Sequence, residues 1–211
     1  YNAGFDGIAF GEDRMYLSGN FTNTTDSVET IEVDGYKIVG LGSNWGTQTT
    51  FTLTYDSRTG KIIECERFNV NNFTQYEGSQ SLLVGVDGSV YQLVMTSFTF
   101  FIYLDIELYT GQSNVLIKYT RDGKVDKIVN FFKDNYSFIT EMKMTSIGDL
   151  ILYGECQYGL GFNGVETINT HLPYATVLMA LDEGDLSLKW YDYMASELNS
   201  NGLSMRIRGM S

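Results

Sequence analysis

Short runs in which apolar and polar residues alternate, broken by Asp and Gly, recur along the whole chain and predict strands paired as hairpins. Asn114 to Phe132, NVLIKYTRDGKVDKIVNFF, reads as two strands hinged at Arg121-Asp122-Gly123. The layout returns at Thr50 to Phe68, TFTLTYDSRTGKIIECERF, and at Ala175 to Tyr193, ATVLMALDEGDLSLKWYDY. Gly60, Gly123 and Gly184 are the expected turn glycines, recurring roughly every 60 residues. Ile62, Val125 and Leu186 follow them in step and are expected in a core between repeats. Each repeat also opens with a hairpin: Gly7 to Phe21 turning at Glu12-Asp13, Ser81 to Val94 at Asp87-Gly88, and Glu141 to Gly154 at Gly148-Asp149. Such Asp and Gly pairs supply the positive φ or the side-chain bond to backbone that tight turns need.

Two hairpins per repeat make four strands, the content of a propeller blade. The expected fold is all-β: one domain, 1–211, built as a β-propeller-type array of four-stranded antiparallel blades. Blade one covers 7–70, blade two 81–134 and blade three 141–194, and 202–211 resembles the first strand of a fourth. Three blades and a strand do not close a ring of four to eight, so the chain reads as a segment of a larger propeller, with completion by neighbouring chains as the alternative. The repeats differ between their hairpins. Thr22 to Thr49 holds an extra hairpin around Asp34-Gly35, and Tyr158 to Tyr174 is rich in Gly and Asn.

Composition agrees with strands. Aromatic residues reach 14% and charged residues only 19%, which suits pleated, half-buried surfaces. A formal charge of −12 repels phosphate backbones and anionic membranes, which argues against nucleic acid as a partner. The most apolar run, Val90 to Leu104, is shorter than the ~20 residues of a membrane helix, so no membrane insertion is expected. No signal peptide is visible at Tyr1 to Gly4. Cys65 and Cys156 each fall in a predicted strand as a small apolar residue, with one disulfide between them as the alternative.

Met15 to Ile63 resembles the secreted β-propeller repeat family, through Tyr16, Gly19, Phe21, Tyr55, Asp56 and Gly60. Gly154, Phe162, Leu181, Asp182 and Gly184 carry the likeness in the third repeat, while the second departs from it at Val94 and Thr120. The resemblance implies a propeller fold and export. YDSRTGKI and LDEGDLSLKW are also similar to the blade signature of quinoprotein-type propellers, but only Trp190 supplies its tryptophan and no cofactor ligands are visible.

Paired acidic residues, Glu64 with Glu66 and Asp105 with Glu107, are raw material for glycoside chemistry, yet alternating acids on strands also keep edges soluble. Asp56, Asp122 and Asp182 recur at turns, and Asp182, Glu183 and Asp185 come closest to a Ca²⁺ loop without filling its ligand positions. No catalytic, cofactor-binding or metal-binding residues are assigned, and no cofactor is expected. Sequons mark Asn20, Asn23, Asn72 and Asn135 as candidate N-glycosylation sites. Tyr36, Trp45, Tyr158 and Tyr174 are candidate contact residues in the variable loops, able to stack on sugars or anchor a protein. The expected function is a non-enzymatic structural, adhesive or interaction module at the cell surface or in an extracellular filament. Its partners would be other protein chains, surface glycans or copies of itself. The alternatives are a polysaccharide-acting hydrolase or lyase with carboxylates at a propeller mouth, and an intracellular protein-interaction propeller.

Overall fold

The computed structural model of the chain describes residues 2–42, 46–70, 78–103, 106–131, 137–162, 165–168, 174–199 and 202–208. Within them the fold is all-β, without a helix. The strands form three four-stranded meanders in sequence. The first is β1 (Asn2–Phe10), β2 (Arg14–Thr22), a separate hairpin of β3 (Thr30–Val33) and β4 (Tyr36–Val39), then β5 (Gln48–Asp56) and β6 (Ile62–Val70). The second is β7 (Gly78–Val84), β8 (Val90–Tyr103), β9 (Ile106–Tyr119) and β10 (Val125–Asn130). The third is β11 (Ser137–Met144), β12 (Asp149–Cys156), a hairpin of β13 (Leu160–Phe162) and β14 (Val165–Ile168), then β15 (Ala175–Asp182) and β16 (Leu188–Asn199). All pairings are antiparallel.

A last strand, β17 (Gly202–Arg208), follows β16. It pairs along the second half of β16, from Tyr193↔Arg208 to Asn199↔Gly202, and makes the third sheet five-stranded. The long β8 likewise serves two partners. Its first half pairs with β7, and Phe101 and Ile102 near its end pair with Val70 and Asn69 of β6. The first two meanders therefore form one continuous eight-stranded sheet, while the third is separate.

The turn chemistry follows the sequence at two of the three closing turns. Asp56 Oδ1 accepts from the N–H of Arg58 at 3.0 Å and of Thr59 at 2.9 Å, and Gly60 takes the left-handed position at φ +66°. Gly123 does the same at φ +88° in the tighter turn after β9. In the third turn the left-handed residue is Leu186, at φ +57°, and not Gly184. Leu186 N–H bonds Asp182 C=O at 2.9 Å just as Gly60 N–H bonds Asp56 C=O at 2.8 Å, so Leu186 is the positional equivalent of Gly60. A left-handed leucine costs about 1–2 kcal/mol. Burial of its side chain in the core offsets that cost. The expected alignment of Leu186 with Ile62 is therefore two residues out of step, and Ile62 and Val125 are only half-buried.

Period-two alternation places each meander's two faces in different cores. In β5, Phe51, Leu53 and Tyr55 face the β3–β4 hairpin and pack with Ile38. Thr50, Thr52 and Thr54 face the second meander. There Tyr16 and Phe68 pack with Val90, Val94, Val115, Ile117 and Tyr119. The other face of the second meander, Tyr91, Leu93, Leu116 and Val129, packs on the third through Leu150, Leu152, Met179 and Leu181. The meanders thus stack one on the next. Cys65 and Cys156 are free, and burial pushes their thiols up to about 12 and about 11, leaving both protonated at neutral pH.

Candidate functional site

Charged and polar side chains gather where the turns of successive meanders meet. At the first junction, the turn Gly11–Arg14, Tyr16, the turn Val84–Gly88 and Arg121 enclose a pocket of about 190 Å³. Arg121 of the second meander's closing turn binds Asp13 at 2.7 Å and Glu12 at 3.5 Å. Arg14 reaches Asp13 at 3.1 Å, Asp122 at 3.3 Å and Asp56 at 3.8 Å. The hydrogen bond from Arg121 holds Asp13 below the ordinary carboxylate range. Tyr16 is buried and donates its hydroxyl to the Arg121 carbonyl at 2.7 Å. That anchors the second meander's turn on the first. Both arginines facing the pocket are spent on carboxylates, so the pocket is polar without being a free anion site.

The second junction repeats the device with different charges. Tyr91, equally buried, donates to the Glu183 carbonyl at 2.8 Å. Lys118, 5% exposed, donates to the Glu183 and Gly184 carbonyls at 3.0 and 2.7 Å, with Asp126 and Asp87 at 3.7 and 3.9 Å. The Glu183 carboxylate accepts from Asp87 N–H at 3.1 Å, and Lys127 donates to the Asp185 carbonyl. Glu183 can lie this close because Gly85 lies beneath it; a Cβ there would collide with Oε1. Tyr16 stands opposite Thr54 and Tyr91 opposite Lys118 in their sheets. The two tyrosines therefore hold the same place. In the third meander that place, opposite Ala180, belongs to Ile151.

Between these junction rims, the interface of the first two meanders carries a buried polar seam. Thr52 donates to Gln92 Oε1 at 2.8 Å, and Tyr119 donates to the same oxygen. Gln92 Nε2, Thr50 Oγ1 and Thr54 Oγ1 are buried without a hydrogen-bond partner among the described residues.

The candidates read from the sequence are scattered. Asn20 lies within β2 and donates to Asp6 at 2.7 Å at the surface. Asn23 is 1% exposed and its amide donates to the Gly42 carbonyl, so a glycan has no room there in the folded chain. Tyr36 is 40% exposed on the β3–β4 hairpin, where burial and then the nearby Cys65 and Glu64 raise its pKa. Tyr158 and Tyr174 are more than half exposed at one end of the third sheet, just beyond the Cys156↔Ala175 pair. Asn72, Asn135, Trp45 and Asp105 lie outside the described residues, as does the Glu107 side chain.

Glu64 and Glu66 share a face opposite Thr54 and Thr52. Asp182, Glu183 and Asp185 do not converge: Asp182 accepts from Gly184 N–H, Glu183 from Asp87 N–H and Asp185 from Ser187 N–H. Sequence reasoning passed over Tyr91, Lys118, Arg14 and Arg121 as site residues. The signals for them were a tyrosine recurring just after the opening turn and a lysine inside an apolar strand. No protein-family model and no curated protein matches the chain.

Proposed function

We propose that the three meanders are blades of a propeller-type array, and that the chain serves as a non-enzymatic structural or adhesive module of an extracellular, cell-surface or filament protein. The observation that carries this reading is the repeated tyrosine-to-carbonyl anchor at the two junctions, Tyr16 to Arg121 and Tyr91 to Glu183. Around it, the charged turn residues pair with one another or bond turn backbone. Asp13, Asp56, Asp87 and Asp182 thus act as scaffold. Tyr36, Tyr158 and Tyr174 project from the inserted segments and offer amphipathic rings for protein or sugar contacts.

Peptide mapping of the protein from its native source, combined with fractionation, tests the reading. The expected outcome is recovery with the surface or secreted fraction, with N-glycan on Asn20 and none on Asn23. Cytosolic recovery with every sequon bare would overturn the extracellular assignment.

A further inference from the structure

The two junctions are built alike, and one of them fills with a side chain the cleft that the other leaves as a pocket. The first two opening turns each close on a glycine, Gly11 N–H to Arg14 C=O at 2.9 Å and Gly85 N–H to Ser89 C=O at 2.8 Å. Gly88 and Gly148 take the left-handed position in the second and third opening turns, at φ +83° and +84°. The closing-turn residue whose carbonyl accepts from the tyrosine is Arg121 at the first junction and Glu183 at the second. Arg121 and Glu183 are therefore counterparts. The Glu183 carboxylate spans its cleft: a Cβ on Gly148 would lie 2.7 Å from Oε2, and one on Gly85 would collide with Oε1. Arg121 also passes over the left-handed glycine, with Cδ 3.8 Å from a Cβ on Gly88, but then turns to Asp13 at 2.7 Å. At Gly11 a Cβ would make ordinary contact with Tyr16 at 3.6 Å and with Arg14 and Val84 at 3.8 Å. The pocket of about 190 Å³ is thus the first junction's version of the seat that Glu183 fills at the second.

We infer that this pocket binds one ring of a neutral sugar. Its volume exceeds the roughly 150 Å³ cavity that takes a benzene ring and falls short of the roughly 300 Å³ at which drug-sized pockets begin. That is space for a single six-membered ring with its substituents. The lining charges are already matched, Arg121 with Asp13 and Glu12, and Arg14 with Asp13, Asp56 and Asp122. A ligand of either sign has to displace one of these partners, whereas a hydroxyl group can add a bond to either kind. Arg121 commits Nε and Nη2 to Asp13, and its half-exposed side chain keeps further donors of its five-donor fork for a ligand. Glu12 and Asp87, with side chains 89% and 45% exposed, offer the acceptors. Tyr16, Val84 and Val86 supply an apolar wall for the C–H face of the ring. A free monosaccharide and the end of a glycan chain present the same ring. The inference uses the pocket alone, so its failure would leave the extracellular reading standing.

Amide chemical shifts of the 211-residue chain, followed as glucose, galactose, mannose or N-acetylglucosamine is added to about 50 mM, test it, since one ring of roughly 12 non-hydrogen atoms binds in the millimolar range. At least one sugar is expected to give saturable shifts at Gly11 to Arg14 and Val84 to Gly88. Gly11→Leu plugs the pocket and is expected to weaken binding at least about tenfold. Glu12→Ala, at a side chain 89% exposed, is expected to weaken it about threefold or more, and this readout decides the matter if Gly11→Leu fails to fold. Sodium acetate and methylammonium chloride, which present one charge each, are expected to give no saturable shift. The methyl glycoside of the sugar that binds separates the two sources: retained binding admits the end of a chain, lost binding restricts the pocket to the free sugar, and both agree with the inference. No saturable response to any of the four sugars, saturation by acetate or methylammonium instead, or a sugar response that Glu12→Ala and a folded Gly11→Leu leave unchanged would overturn it.

Discussion

Gly85→Ala should drive a wedge into the second junction. The added Cβ would lie 2.9 Å from a Tyr91 ring carbon and 3.1 Å from Glu183 Cδ, and would overlap Glu183 Oε1. Gly85 is not among the left-handed glycines, so the penalty is steric. Overpacking of this sort costs about 1–3 kcal/mol, against about 0.4–1 kcal/mol returned by a stiffer unfolded chain. A net loss of about 1–2 kcal/mol is expected. Glu183→Ala alone removes the acceptor for Asp87 N–H and should cost about 1 kcal/mol. The double variant frees most of the space that the wedge needs, since only the Tyr91 contact remains. It should therefore lose about 1–2 kcal/mol, well short of the sum of the single losses. Equilibrium urea unfolding followed by aromatic fluorescence measures all four proteins, and each kcal/mol should also move Tm by about 2–4 °C at this size. Costs that add to within about 0.5 kcal/mol would refute the seating of the Glu183 carboxylate over Gly85.

Two substitutions separate backbone from packing at equivalent turn positions. Gly60→Ala has open space around its Cβ and should cost only the left-handed penalty of about 1 kcal/mol. Leu186→Gly gains that penalty back but removes a buried leucine, whose truncation costs about 2–5 kcal/mol, so its Tm should fall further than that of Gly60→Ala. A Leu186→Gly protein as stable as wild type would show that the side chain contributes no more to the core than the left-handed penalty of about 1–2 kcal/mol. Acid should weaken the turns. Arg121 beside Asp13, Thr59 N–H at Asp56, Gly184 N–H at Asp182 and the Ser187 hydroxyl at Asp185 hold these carboxyls below the ordinary value of 3.8. Their folded pKa is depressed, so the unfolded chain binds more protons as pH falls and the contribution is lost below about pH 4. Tm should be flat above pH 5 and drop towards pH 2.5; a Tm unchanged down to pH 2.5 would contradict these bonds.

The all-β class and the hairpin turns were legible because alternation and Asp-Gly pairs are local signals. Glu12-Asp13, Asp34-Gly35 and Asp87-Gly88 all fall where strands reverse. Leu186 was not legible, since no local propensity favours a left-handed leucine; the buried side chain that stabilises it depends on the second meander. Lys118 sits in NVLIKYT, where a lysine inside an apolar strand signals a buried charge but not its acceptors, the next turn's carbonyls. The tyrosine anchors were equally hidden among 15 tyrosines, because only the stacking of sheets separates an anchoring hydroxyl from an exposed one. Asn23 shows the same limit: a sequon reads identically whether its amide faces water or the Gly42 carbonyl.

The strand shared by two meanders also governs how the molecule comes apart. Through Asn69↔Ile102 and Val70↔Phe101, loosening β8 loosens the first meander and the second together. The third sheet meets them through side chains and the Glu183 turn, with no strand pairing across the boundary among the described residues. Amide exchange should therefore divide the chain near residue 137, with β1 to β10 exchanging as one block and the third sheet as another. Under tension applied at the two ends, the third sheet should detach first as a unit, leaving the eight-stranded sheet intact to bear the remaining load.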